Sequence, residues 1–236
     1  MIFGGLLAGG VGSRMETAIM PKQFIRICGV PVFIRSLRTL LSIKEIDKVV
    51  ISMNMEWEQE YLTLIKEFNI NEKRVLLTPG GDSRFTSLIN IAKAAAEIAD
   101  APDSPIVTHD CARIFVSERI IRDNLAMISD YDMVTTSLPT IDTMLFSEDG
   151  KCCATVPDRT KLFADQGPQT FRLDRFLRYV SMIPENDIPN YIEAGKVYLS
   201  HNRKVGIVRG DRFNFKVTND IDLQYATFLI EKGYAK

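Results

Sequence analysis

The sequence is short of histidine, cysteine and net charge, and each shortage closes a class of function. Two histidines, His109 and His201, and four cysteines, Cys28, Cys111, Cys152 and Cys153, show no C-x-x-C spacing and leave too few ligands for a zinc site. The cysteines therefore read as free thiols, with Cys152 and Cys153 in a stretch that reads as a strand, where adjacent side chains point to opposite faces and do not easily pair. With 29 basic and 30 acidic residues the net charge is -1, which gives no electrostatic case for a nucleic-acid or membrane-surface partner. No apolar run approaches the roughly 18 residues of a membrane span, and the opening MIFGGLLAGG has neither the length nor the basic start of a secretion signal. A cytoplasmic protein is expected. Internal repeats, low-complexity tracts and long linkers are also missing.

What is present is a steady alternation. At 236 residues and 46% hydrophobic content the chain can bury one sizeable core, and one domain over 1–236 is expected. Short apolar runs at 2–7, 48–52, 75–78, 105–108, 133–138 and 205–208 read as strands, and the segments at 32–41, 57–68, 86–99 and 117–128 carry apolar residues at helical spacing. The pattern predicts an α/β fold, Rossmann-like and doubly wound, with a mostly parallel sheet and helices on both faces. Asp142 to Asp165 breaks the rhythm. It reads as a hairpin around Glu148-Asp149-Gly150 followed by a polar segment, and fits either a plain surface hairpin or an arm, at about 140–165, that crosses to another subunit.

The unusual polar residues fall after the strands, where doubly wound sheets bind ligands. The first strand leads into "LLAGGVGSRM". Its third glycine position is held by Met15, so it is no dinucleotide fingerprint, and Gly12-Ser13-Arg14 is no Walker A ending. "MPKQF", "PGGDSRFTS", "THDCARIF" and "GDRFNFKVTNDID" follow at later strand ends. Glycine amides with Arg14, Lys22 and Lys216 would make a polyanion site, and Asp110 among such cations makes sense as a ligand of a divalent metal. No Ser-His-Asp or Cys-His arrangement suggests itself, and His109 reads as a loop-fixing residue.

In this order and spacing, LAGGVGSRM, PKQF, GGDSR with Ser87, THDCAR, DRTKLFADQGPQTF and NFKVT resemble the cytidylyltransferases of the group that includes the ribitol-5-phosphate and 2-C-methyl-D-erythritol 4-phosphate enzymes. The resemblance spans nearly the whole chain. It implies CTP as substrate, Mg2+ or another divalent metal, a small polyol phosphate as acceptor, and a homodimer with exchanged arms. By the same resemblance Ala8, Gly9, Gly10 and Gly12 surround the CTP, Arg14, Lys22 and Lys216 are the catalytic cations, and Gly81, Asp82 and Ser87 hold the cytosine and nucleoside. Asp110 would bind the metal and Arg84 and Arg113 would support its loop. Arg159 and Thr143, on the arm, would meet the acceptor in the partner's site.

Three departures stand out, the first bearing on the stiffness of the Asp110 loop and the other two lying on the acceptor side. The proline usual after H-D-x-x-R is Ile114, the usual Q-T-P-Q is Gln166-Gly167-Pro168-Gln169, and a usual Thr-Asp pair aligns with Ile192-Glu193. Two hydroxyls are thereby lost, and Glu193 could accept from a hydroxyl of the acceptor. The motif forms look nearer to the ribitol branch, so the expected reaction gives CDP-ribitol and pyrophosphate, with methylerythritol phosphate or another polyol phosphate as alternative acceptors and a nucleotide-binding protein without turnover as the competing class.

Overall fold

Alternation along the strands commits the sheet to two buried faces. Phe3 and Leu7 pack on one side with Val50 and Ile106, while Leu6 packs on the other with Val49, Ile51 and Val107, as a period of two requires. The computed structural model describes residues 1–10 and 20–234. In chain order the elements are β1 (Phe3–Leu7), β2 (Arg26–Ile27), β3 (Val30–Pro31), α1 (Val32–Ser42), β4 (Lys48–Met53), α2 (Glu58–Glu67), β5 (Val75–Pro79), α3 (Arg84–Glu97), β6 (Pro105–Asp110) and α4 (Glu118–Met127). They continue with β7 (Met133–Pro139), β8 (Phe163–Arg172), α5 (Leu173–Ser181), α6 (Ala194–Ser200), β9 (Val205–Arg209) and α7 (Asp220–Glu231). Seven strands form one sheet in the order β5-β4-β1-β6-β8-β7-β9, and β8 alone runs against its neighbours. Helices α1, α2 and α4 cover one face and α3, α5 and α6 the other. Fold class and the six expected strands are as the sequence pattern predicts.

β8 is the strand that pattern does not reveal. Its sequence contains Gly167-Pro168, which normally punctuates a strand, and the chain absorbs the pair as a bulge where the register against β7 shifts between Thr135 and Ser137. Gly167 sits at φ +61, a left-handed conformation in which a β-branched residue would be strained. The threonine lost from the motif is thus replaced by a residue suited to this backbone. Because β8 begins at Phe163, the irregular arm ends before Asp165. Cys152 and Cys153 are not on a strand: the Asp149 carboxylate accepts the Lys151 and Cys152 amides at 2.8 and 2.9 Å and curls the chain, leaving only an isolated bridge between Phe146 and Thr155. Among the described residues no helix is long and apolar enough to cross a membrane.

The carboxyl ends of the parallel strands are level, with Leu7 opposite both Ser52 and Asp110, and Met53 opposite Pro79. The loops after β1, β5 and β6 therefore open onto one edge. The first of them is tied to the core by Tyr61 of α2, wholly buried between Phe24 and Phe33, whose hydroxyl donates to the Ala8 carbonyl at 2.8 Å. Tyr61→Phe leaves that carbonyl without its donor and is expected to cost about 1 kcal/mol, lowering Tm by about 2–4 °C. Thermal unfolding followed by circular dichroism checks this, and melting identical to wild type would show that the bond contributes nothing.

Candidate active site

A cleft of ≈ 430 Å³ lies over this edge. Each wall is set by local sequence. Gly9 and Gly10 leave β1 into it. Lys22 opens a short 3-10 turn whose Phe24 is clamped against Phe33, Trp57 and Tyr61, so an apolar anchor two residues away holds the lysine at the rim. After β5, the Gly81 amide donates to Ser87 Oγ at 3.0 Å and Ser87 Oγ donates to the Ser83 carbonyl at 2.9 Å, while Ser83 and Thr86 form the capping box that starts α3. A Cβ on Gly81 would collide with the Thr86 hydroxyl and lie 2.9 Å from its carbonyl carbon, so only glycine closes this turn. Lys216 is fixed from behind. The Val217 amide donates to the Ala112 carbonyl at 2.9 Å, and Asn219 with Asp222 caps α7 immediately after.

At the centre stands Asp110, the last residue of β6, its side chain 13% exposed. Oδ1 accepts from Arg84 Nε at 3.0 Å, Oδ2 accepts from Lys216 Nζ at 2.9 Å, and Arg113 Nε lies 3.9 Å from Oδ2. Burial alone would raise the carboxyl's pKa, but the charges of Arg84 and Lys216 outweigh it and hold the group below the ordinary carboxylate range. The two arginines also reach away from the cleft: Arg84 donates to the Ile192 carbonyl at 3.2 Å, and Arg113 to the carbonyls of Asn214 at 2.9 Å and Asp165 at 3.4 Å. His109 is 1% exposed with Nε2 donating to the Arg113 carbonyl at 2.9 Å, and burial pushes its pKa down to about 4. It is a neutral strut, unfit as a base. The neighbouring Cys111 thiol is pushed by burial up to about 12 and is no nucleophile.

Of the residues expected from sequence, Gly9, Gly10, Lys22, Gly81, Asp82, Arg84, Ser87, Asp110 and Lys216 line this one cleft. Gly12 and Arg14 lie outside the described residues. Ala8 stands behind the wall rather than on it: its amide donates to the Ser52 carbonyl at 3.0 Å and its carbonyl is taken by Tyr61. The hydroxyl of Ser87, though it faces the cleft, is engaged in the loop's own hydrogen bonds. Thr143 and Arg159 are on the arm, where Arg159 donates to the Ile141 carbonyl at 3.0 Å, and neither lines the cleft of its own chain. Glu193, just before α6, is a neighbour of the cleft through Arg84 and Ile192 rather than part of its lining. Sequence reasoning misses Gln169, which donates to Glu193, and Asp165, which accepts from the same Gln169 amide; the oddity of Asp-Gln-Gly-Pro-Gln inside a strand is the one available signal.

A doubly wound sheet whose strand ends bring two lysines, an arginine-held carboxylate and glycine turns to one cleft is the architecture of a nucleotidyltransferase. Residues 5–232 match the family described as "IspD: 2-C-methyl-D-erythritol 4-phosphate cytidylyltransferase", and the chain belongs to that family of cytidylyltransferases. Among solved structures it is similar to 4-diphosphocytidyl-2C-methyl-D-erythritol synthase from Anaerococcus prevotii, with a TM-score of 0.80, 22% identity, and coverage of 98% of this chain and 96% of that one. The corresponding cytidylyltransferase of Francisella tularensis gives a TM-score of 0.78 at 19% identity, covering 97% and 99%, and that of Thermus thermophilus 0.73 at 21%, covering 98% and 100%. At these identities the structures speak for the fold alone.

The buried imidazole sets an acid limit on stability. Unfolded His109 takes a proton below about 6.5 while the folded form resists until about 4, so the unfolded state binds more protons in that window and stability falls as pH drops through it. The depressed Asp110 acts lower, its contribution fading only as pH falls past the ordinary carboxylate range. Stability of the wild type is expected to decline across the His109 window by on the order of 1 kcal/mol per pH unit, with Tm falling accordingly, and His109→Gln is expected to flatten the decline. Parallel Tm-pH curves for the two proteins would remove His109 as its source.

Proposed function

We propose that this cytidylyltransferase joins CTP to the phosphate of a small polyol phosphate, releasing pyrophosphate, and that its acceptor is 2-C-methyl-D-erythritol 4-phosphate. The family match over residues 5–232 carries this reading of the acceptor. D-Ribitol 5-phosphate is the second reading, favoured by the LAGG opening, the THD form of the aspartate loop, the TFR after Pro168-Gln169, and Asp142-Thr143 followed by Met144-Leu145.

In this mechanism the acceptor phosphate, with a second pKa near 6, is already largely a dianion and needs no general base. Its oxygen attacks the α-phosphorus of CTP in line with the departing pyrophosphate. Lys22 and Lys216, with Arg14, neutralise charge that develops on the α-phosphate and leaving group, while Arg84 and Arg113 hold Asp110 in place. The Gly80-Gly81 turn, whose amides are taken by the Met53 carbonyl and Ser87 Oγ, would offer a backbone carbonyl to the base edge. A magnesium ion fits the donor set: Asp110 is the central carboxylate, Asp82 also faces the cleft, and Mg2+ commonly takes one or two carboxylates plus substrate phosphate oxygens. Bound there, the metal would supply charge neutralisation between the two reacting anions.

A homodimer with exchanged arms is part of the proposal. Ile141, Leu145, Phe146 and Val156 are 50–65% exposed on the arm, an apolar surface suited to burial against a second subunit. Arg159 and Thr143 would then reach the partner's acceptor.

Incubation with CTP, magnesium and equal amounts of methylerythritol 4-phosphate, ribitol 5-phosphate, arabinitol 5-phosphate and glycerol 3-phosphate, with the CDP product identified by mass, tests the acceptor. The expected product is from methylerythritol phosphate. Preferential CDP-ribitol would establish the second reading instead. Arm exchange is tested by mixing Arg159→Ala with Lys216→Ala, each expected to lower kcat at least about a hundredfold; mixed dimers are expected to regain activity because one site is rebuilt intact. No recovery in proven heterodimers would place Arg159 in its own subunit's site or in none.

A further inference from the structure

Helix α7 is apolar on two sides. Ala226 and Leu229 are buried with Ile27, Val32, Ile114 and Phe115, and Leu223 and Ile230 pack beside them, so one side of the helix covers the core. On the other side Ile221, Tyr225 and Phe228 are 46–77% exposed, and Tyr234, just beyond the helix, is 64% exposed. A helix that meets the core with one stripe normally turns polar residues outward. Here the outward stripe is made of large apolar side chains instead.

The stripe is also braced. The ring of Tyr225 lies 5.2 Å from that of Phe215, which lies 5.6 Å from the buried Phe115, so this aromatic is backed by the core. Phe228 and Tyr234 are 6.1 Å apart, and the capping box of Asn219 with Asp222 fixes the start of the helix. Half-exposed aromatics held in place by neighbours make good contact residues, because little side-chain freedom is left to lose on association. Together the four side chains offer on the order of 500 Å² of continuous apolar surface, a size that marks an interaction site rather than scattered exposure.

Spacing and charge decide what covers it. Ile221, Tyr225, Phe228 and Lys232 follow one another at intervals of 4, 3 and 4 residues, which keeps them on one seam between two packed helices. The series reads the same in both directions. A second α7 running the opposite way therefore sets Tyr225 against the partner's Phe228, and Ile221 against the aliphatic stem of the partner's Lys232. Charge selects the same arrangement. Asp220 is in the first turn and Lys232 at the C-cap, so antiparallel helices bring opposite charges and opposed dipoles together, whereas parallel helices bring like charges together.

We infer that α7 is a self-association surface through which two copies of this chain pair about a two-fold axis, with Tyr225 and Phe228 at the centre and Asp220 and Lys232 at the rims. Two such stripes bury about 1,000 Å² in all, the lower bound for a specific interface, so the contact is reversible and depends on concentration. It is separate from the proposed arm exchange, which uses apolar residues between Ile141 and Val156, and it does not rest on the reaction or its acceptor. Two isologous contacts on one chain build a larger assembly than either alone.

Sedimentation velocity of the full chain over a range of concentrations reads the contact. Wild type is expected to show an association step in the micromolar range. Phe228→Glu, and Ile221→Glu at a more exposed position, are each expected to weaken that step at least about tenfold, with the circular dichroism spectrum unchanged because neither side chain packs in the core. Phe146→Glu, on the arm, is expected to leave the step in place. At low ionic strength Asp220→Lys and Lys232→Glu are each expected to weaken self-association at least about threefold, and an equal mixture of the two is expected to recover it, since both rims of the mixed pair regain opposite charges. A mass that does not vary with concentration, or a step equal in wild type and both glutamate variants, would overturn the pairing. So would loss of the step in Phe146→Glu, which would assign α7 to the partner's arm, or a charge-swapped mixture that associates no better than either variant alone.

Discussion

A carboxylate taken out of water at the end of a strand has to be matched by cations, and most of the site's arrangement follows from how Asp110 is matched. Its two oxygens are shared between Arg84 and Lys216, which come from opposite directions and from segments more than a hundred positions apart in the chain. Bringing them together requires the turn after β5, the β6 end and the segment before α7 to meet at one edge, which the parallel sheet provides. Removing one partner from such a group leaves uncompensated charge in a partly buried place, a far larger penalty than the pair's own net contribution. The cluster therefore ties the cleft's cations to folding: the loops that carry them are stabilised by the same carboxylate they surround.

The rest of the site is built from neutral supports. His109 is kept uncharged and spends Nε2 on the Arg113 carbonyl, Asn214 donates to the Gly167 carbonyl at 2.9 Å, and Tyr61 holds Ala8. None of these groups is suited to react. Their value is that the cationic side chains are presented by rigid backbone, and electrostatic stabilisation of a transition state is effective only when the stabilising charges need not reorganise.

Much of this was legible in the sequence, for identifiable reasons. Parallel strands buried on both faces read as continuous apolar runs, and β1, β4, β5, β6, β7 and β9 do so. Glycine pairs, lone lysines and Asp110 fell after those runs, so their convergence followed from the fold class. β8 was not legible, because its bulge, its Gly-Pro pair and its polar Asp-Gln-Gly-Pro-Gln stretch hide the alternation. Asp165 and Gln169 were missed with it. That Ala8 stands behind the cleft wall is hidden for a different reason: a motif gives position along the chain, while the Tyr61 bond that turns its carbonyl inward is a tertiary fact. Likewise, the curl at Asp149 that keeps Cys152 and Cys153 off a strand depends on a side chain competing with the ladder for backbone amides.

β8 runs, through its bulge at Gly167-Pro168, from the foot of the arm to the middle of the core, Phe163 opposite Pro139 at one end and Phe171 opposite both Ile106 and Met133 at the other. Because side chains alternate along a strand, adding or removing one residue inside it would turn Gln169 away from Glu193 and Phe171 away from the core together. Length can change freely only outside it, between Pro139 and Phe163. The arm is therefore the part of this architecture open to divergence by insertion and deletion, whereas the contact of Gln169 with Glu193 can diverge only by substitution, one side chain at a time.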